Sequence, residues 1–132
     1  MKNVRKNITY KEATCGDGCG LIASVSFLNR LQKLRDRCGF PLPFTSIVRC
    51  ELYNIKIGGS GNSAHLLSAN PDRYGAVDIG IKKWQMSKRY IIDWYASRLF
   101  FNQKEIADYH LHFGVVPRKH PHYKKLYWGI SK

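Results

Sequence analysis

Between residues 21 and 38, apolar side chains recur at Ile22, Val25, Leu28, Leu31 and Leu34, with Arg30, Lys33, Arg35 and Arg37 set between them. This spacing gathers the apolar set on one stripe and the cations on the opposite side, so the segment predicts an amphipathic helix that packs a core. Gly39 is placed to end it, and Pro41 and Pro43 keep it from resuming. Residues 44–50, FTSIVRC, are β-branched and aromatic and predict a strand running into a turn. A glycine loop follows, then a second strand over residues 76–81, where Asp78 stands among Val77, Ile79 and Ile81. Ser87 is a candidate N-cap for a second helix reaching residue 100, with Tyr90, Ile91, Trp94, Tyr95, Arg98 and Leu99 at helical spacing. Residues 107–116, ADYHLHFGVV, alternate as a third strand, and RKHPHYKKLYWGISK closes the chain as a basic, aromatic tail. The first 20 residues read as a basic, turn-rich entry ending in CGDGCG.

A chain of 132 residues suffices for one domain with a real core and is short for two. Hydrophobic positions make up 44% and aromatic ones 13%, enough apolar surface to offset the entropy of ordering, which excludes a disordered polypeptide. No repeat, linker or boundary interrupts the pattern. The expectation is a single domain over residues 1–132, α+β in class, with a small, mostly antiparallel sheet flanked by the helices near 21–38 and 87–100.

Lys and Arg number 22 against 9 Asp and Glu, for a net charge of +13. That favours an anionic partner without choosing among nucleic acid, membrane surface and cell-wall polymer. No stretch approaches the roughly 18 apolar residues that a membrane span requires, and residues 1–10 lack the apolar core of a secretory signal. A chain made in a cytosol is expected, with Cys15, Cys19, Cys38 and Cys50 unpaired there. Cys15 and Cys19 have the spacing of half a structural zinc site, but no second half follows at close range.

Period two over residues 107–116 puts Asp108, His110 and His112 on one face and Tyr109, Leu111 and Phe113 on the other. A carboxylate and two imidazoles on one face are costly unless they bind something. Catalytic zinc is held by three protein ligands, commonly imidazole nitrogens and carboxylate oxygens. His65, Asp78 and one of His110 or His112 supply such a set, and a cation would neutralise the acid standing in an apolar strand. The remaining pair, His120 and His122, lies among lysines and reads as surface.

The order Thr45-Ser46, Arg49, Asn54, Gly58-Gly59-Ser60, Ser63-Ala64-His65, Ala76-Val77-Asp78-Ile79 and His110-Leu111-His112 resembles the zinc D-alanyl-D-alanine metallopeptidases. That family includes phage cell-wall endopeptidases and, more distantly, the hedgehog signalling domain, and the resemblance covers most of residues 8–116. It implies a hedgehog/DD-peptidase-like fold with zinc held by His65, Asp78 and His112, and His110 beside the metal as an orienting or proton-handling group. It further implies that Arg49 binds a substrate carboxylate or the oxyanion through paired hydrogen bonds, and that Ser63 contacts substrate. The chain departs from the pattern in two places. SANPDRY lengthens the segment between His65 and Asp78 and offers Asp72 as a rival ligand; the strand pattern around Asp78 favours the latter. The glutamate usual before the last histidine has no counterpart at Tyr109, so Asp108, on the ligand face, is the preferred general base and Glu105 the second candidate.

The activity implied is zinc-dependent hydrolysis of peptide bonds in peptidoglycan stem peptides, as carboxypeptidase or endopeptidase. The setting implied is a phage lysis or wall-penetration enzyme, released from the host cytoplasm to the wall or carried in the virion. Tyr123, Lys124, Lys125, Tyr127 and Trp128 would suit an anionic wall polymer. If the acid does not reach the reacting water, the alternative is a non-hydrolysing wall-binding or virion structural protein that keeps the fold and zinc. No nucleic-acid motif accompanies the charge, so no specific nucleic-acid partner is expected.

Overall fold

The computed structural model describes the backbone of residues 2–69, 73–124 and 126–130 and the side chains of the first two stretches. Asp72 and Lys125 lie outside the described residues, as do the side chains of Tyr127 and Trp128. In chain order the elements are β1 (Asn3–Arg5), β2 (Ile8–Thr9), α1 (Tyr10–Ala13), α2 (Val25–Cys38), β3 (Phe44–Ser46), α3 (Glu51–Lys56), a 3-10 turn (Ala64–Leu67), β4 (Gly75–Ile79), α4 (Met86–Arg98), β5 (Gln103–Ala107), β6 (Leu111–Val115) and β7 (Leu126–Ile130). The class is the expected α+β. Strands β1 and β2 form a small hairpin, and the main sheet runs β3-β4-β6-β5-β7, antiparallel except where β7 lies parallel to β5. No helix among the described residues is long and apolar enough to cross a membrane.

The amphipathic helix forms as its pattern requires. Ser24 Oγ accepts from Phe27 N at 3.2 Å, Gly39 ends the helix with φ 71°, and Phe27, Leu28, Leu31 and Leu34 are buried. Helix α4 differs from expectation. It starts at Met86 after Gln85, without a side-chain cap, so Ser87 lies inside it. Its core face is Ile92 and Ala96, whereas Tyr90 and Trp94 are exposed and the Arg98 guanidinium stacks 3.2 Å from the Trp94 ring centre.

The sheet separates packing from chemistry by simple alternation. Val77 and Ile79 of β4, Leu111, Phe113 and Val115 of β6, and Ile106 of β5 join the core of which α2 and α4 form part. Ala76, Asp78, His112 and Gly114, with Gln103 and Glu105, therefore take the other face. There Asp78, His112 and Glu105 are register partners across three adjacent strands, which brings their side chains into one row. Asp78 thus stands in an apolar strand because every second position of that strand leaves the core.

Two further expectations change. Residues 107–116 are not one strand: residues 108–110 form the turn between β5 and β6. Residues 47–50 leave β3 and lead into α3, which no periodicity announced.

At the N-terminus, Thr9 and Glu12 form a capping box, and Glu12 also pairs with Arg35 of α2. Burial raises the Glu12 pKa, but hydrogen bonds and charge from Arg35 and Thr9 outweigh it, and the net shift is downward. A carboxyl with a depressed folded pKa stabilises above its unfolded value, about 4.3, and that stability is lost as pH falls through the folded value. Glu12→Gln should therefore lower Tm at neutral pH and flatten the acid-side decline, as followed by thermal melts across that range.

Candidate metal centre

His65 is delivered by the 3-10 turn, whose first N–H groups are capped by Ser63: His65 N donates to Ser63 Oγ at 3.3 Å. The ring is buried and its Nδ1 lies 2.8 Å from the Ile47 carbonyl. A carbonyl only accepts, so Nδ1 carries a proton and Nε2 is the nitrogen turned toward Asp78. Ser68 steadies the same carbonyl with an Oγ bond of 2.8 Å and accepts from Ala76 N at 3.0 Å, which ties the turn to β4. Nε2 lies 3.3 Å from Asp78 Oδ1, yet it is buried and makes no hydrogen bond.

His112 presents the mirror arrangement. Its Nε2 is 2.7 Å from Gln103 Oε1 and its Nδ1 2.9 Å from Asp78 Oδ1; with Nε2 donating to the amide oxygen, Nδ1 is the nitrogen that a metal would take. Burial lowers the His112 pKa and prevails over the attraction of Asp78, keeping the ring neutral at physiological pH. Burial alone would raise Asp78, but His65 and His112 reverse this and hold its carboxyl well below the usual range. His65 Nε2, His112 Nδ1 and a carboxylate oxygen of Asp78 consequently face one another, with the donor atoms within 4.8 Å. A divalent cation would sit among these three donors and neutralise the buried carboxylate; the outer nitrogens, bonded to a carbonyl and an amide oxygen, hold both rings in the tautomer a metal needs.

The second oxygen of Asp78 is held by Arg49, with Nη2 at 3.4 Å from Oδ2. Arg49 Nη1 reaches Asn54 Oδ1 at 3.3 Å, and buried Asn54 donates to the Ser60 carbonyl at 2.9 Å. The glycine loop is glycine for a packing reason here: a Cβ on Gly59 would lie 2.1 Å from Asn54 Oδ1. Arg49 Nε is buried and without a hydrogen-bond partner. These groups border a cavity of about 210 Å³, whose walls also carry Glu105, His110 and His122.

Of the residues singled out in the sequence, His65, Asp78, His112, Arg49, Ser63, His110 and Glu105 meet at this cavity. Asp108 does not. It occupies the β5–β6 turn, where Arg89 donates to the carbonyls of Ala107 and Asp108 and Lys83 N donates to the Asp108 carbonyl at 2.7 Å. These bonds hold the turn toward the start of α4, and the Asp108 carboxylate meets Lys83 Nζ at 3.7 Å. Of the two acids, Glu105 lies in the cavity wall and Asp108 does not. His122, read as surface, also borders the cavity.

Gln103 and Gly114 went unnoticed. They are register partners, and a Cβ on Gly114 would stand 2.4 Å from Gln103 Oε1, so only glycine lets that side chain cross the strand to His112. Gly114→Ala should displace Gln103 and weaken zinc binding about 10–100-fold, the usual effect of losing an outer partner. Competition with a chromogenic chelator checks this, and Gln103→Ala should reproduce it.

A small α+β domain with such a donor set in a cleft has the build of a metallopeptidase. A family model for peptidase M15 matches residues 3–94, well over half of the chain, and the chain belongs to that family, whose members are zinc-dependent. The matched span contains His65 and Asp78 and ends within α4, so His112 and Glu105 join the site through the fold. Comparisons with curated proteins and with solved structures gave no match.

Proposed function

We propose that the protein is a zinc peptidase that cuts peptide bonds in peptidoglycan stem peptides, with His65, Asp78 and His112 as the metal ligands. The convergence of two imidazole nitrogens on one carboxylate oxygen, with the outer nitrogen of each ring bonded to an oxygen acceptor, carries the reading. Zinc bound there would supply Lewis acidity and acidify water. Glu105, in the cavity wall beside His112, takes the proton of the attacking water and returns it to the leaving amine. Arg49 lines the same cavity, and its guanidinium is suited to the oxyanion or to a substrate carboxylate. His110 and His122 border the same cavity and can orient substrate or handle protons. Ser63 lies in the wall, but its hydroxyl already caps the 3-10 turn, so its chief task is to position His65.

A net charge of +13 favours approach to an anionic wall. Action as a phage lysis or wall-penetration enzyme, released from the host cytoplasm or carried in the virion, accords with that charge and with the peptidase family. The test is digestion of purified peptidoglycan and isolated muropeptides, followed by mass spectrometry. Cleavage that a chelator abolishes and zinc restores is expected; a zinc-loaded, folded chain that leaves every stem-peptide bond intact would overturn the proposal.

A further inference from the structure

The CGDGCG motif has no part in the cavity, yet the fold brings it to a cysteine far along the chain. Cys15 Sγ, a carboxylate oxygen of Asp17, Cys19 Sγ and Cys50 Sγ all lie within 4.8 Å of one another. The loop is closed at its base by the Thr14–Ile22 bridge and by Cys15 N donating to the Leu21 carbonyl at 2.8 Å. Gly18 and Gly20 have φ of 77° and 89°, a left-handed backbone that turns Cys19 back toward Cys15. Cys50 arrives from the other side as the N-cap of α3.

The sulfurs are oriented by backbone donors. Cys50 N points to Cys15 Sγ at 3.4 Å and Tyr53 N to Cys50 Sγ at 3.4 Å, contacts that fix where the two sulfurs lie. Asp17 is held in the loop by Cys19 N at 3.0 Å, and its other oxygen lies 3.2 Å from Cys50 Sγ. Cys15 is buried, Cys50 half-buried, and Asp17 and Cys19 are exposed, so the cluster sits at the surface with an open approach.

We infer that Cys15, Asp17, Cys19 and Cys50 form a second zinc site, structural in kind and separate from the His65–Asp78–His112 centre. Three soft sulfurs exclude magnesium and calcium, and four protein donors make a closed tetrahedral set. Four acidic groups this close cannot all ionise beside one another without a cation. A disulfide would use two of the sulfurs and leave the third beside Asp17; all four cysteines are free thiols in the structure. Bound zinc would fasten the 15–20 loop to the start of α3, the helix whose Asn54 holds Arg49 and the Ser60 carbonyl.

The test uses the full chain purified under reducing conditions. Two zinc per chain are expected, and cobalt replacement should produce a thiolate-to-cobalt charge-transfer band in the near ultraviolet. Asp78→Asn should keep that band with one equivalent of metal, and Cys19→Ser should lose it. In the metal-loaded wild type at most one thiol, Cys38, should react with a thiol reagent until a chelator frees the other three. Four thiols reacting alike with and without metal, a cobalt spectrum lacking the sulfur band, or a disulfide among residues 15, 19 and 50 would each overturn the inference. These readouts report sulfur ligation and need no hydrolysis, so they stand or fall apart from the peptidase proposal.

Discussion

Asp78→Asn is expected to abolish zinc binding at the histidine centre and to lower hydrolysis by on the order of 10³-fold, the several kcal/mol that a catalytic metal contributes. Oδ1 of Asp78 is the atom on which His112 Nδ1 and His65 Nε2 converge, and Oδ2 is held by Arg49. An amide keeps the shape and removes the charge that makes the donor set attractive to a cation. It also gives Arg49 a poorer acceptor, although Asn54 still engages that guanidinium. The metal-free variant should therefore lose only about 1–3 kcal/mol of stability, the cost of a buried charged donor left short of an acceptor. Added zinc separates the two effects. It should raise the wild-type Tm through this centre by mass action, and a variant lacking the centre should forgo that increment. The metal content should fall by one equivalent relative to wild type. Asp78→Asn with unchanged zinc stoichiometry and affinity would remove the histidine centre from the account.

Some of this site could be read from the chain directly because local rules decide it. Asp78 breaks an apolar alternation, and a strand with one packed face can tolerate that only on its other face. Ser63 two positions before His65 is a cap in front of a short turn, and Gly39 after Leu34 is a helix stop; each needs no knowledge of distant residues.

The remainder depended on contacts between segments. Residues 103–107, QKEIA, have little intrinsic strand character, and they form β5 because β6 and β7 pair with them on either side. With that strand unseen, the alternation of residues 107–116 read as continuous across what is a turn lacking glycine or proline. Asp108 accordingly lies in that turn and not on the strand face beside His112. Gln103 and Gly114 matter through a single cross-strand approach, and Cys50 through a meeting with a loop some thirty residues earlier in sequence, distances over which periodicity is silent.

The placement of the two acids leads to the sharpest kinetic contrast. Glu105→Gln should reduce kcat by about 10²–10⁴-fold, the range for loss of a general acid–base, with zinc content and KM little changed. Asp108→Asn should stay within about threefold of wild type, since the half-buried carboxylate lies outside the cavity wall. Glu105 is the register partner of His112 on the cavity face, and its charge is near enough to raise the proton affinity of that ring. A glutamine there fills the same space and can still donate a hydrogen bond, but it cannot accept the proton of the attacking water, so the deficit should fall on the chemical step. Asp108 could act only if the turn released the three bonds that hold its carbonyl and that of Ala107, those from Arg89 and the one from Lys83 N. Steady-state kinetics on a defined muropeptide, with metal content measured on the same samples, decides between them. A severe kcat loss in Asp108→Asn beside near-normal turnover in Glu105→Gln would mean that the β5–β6 turn rearranges when substrate binds.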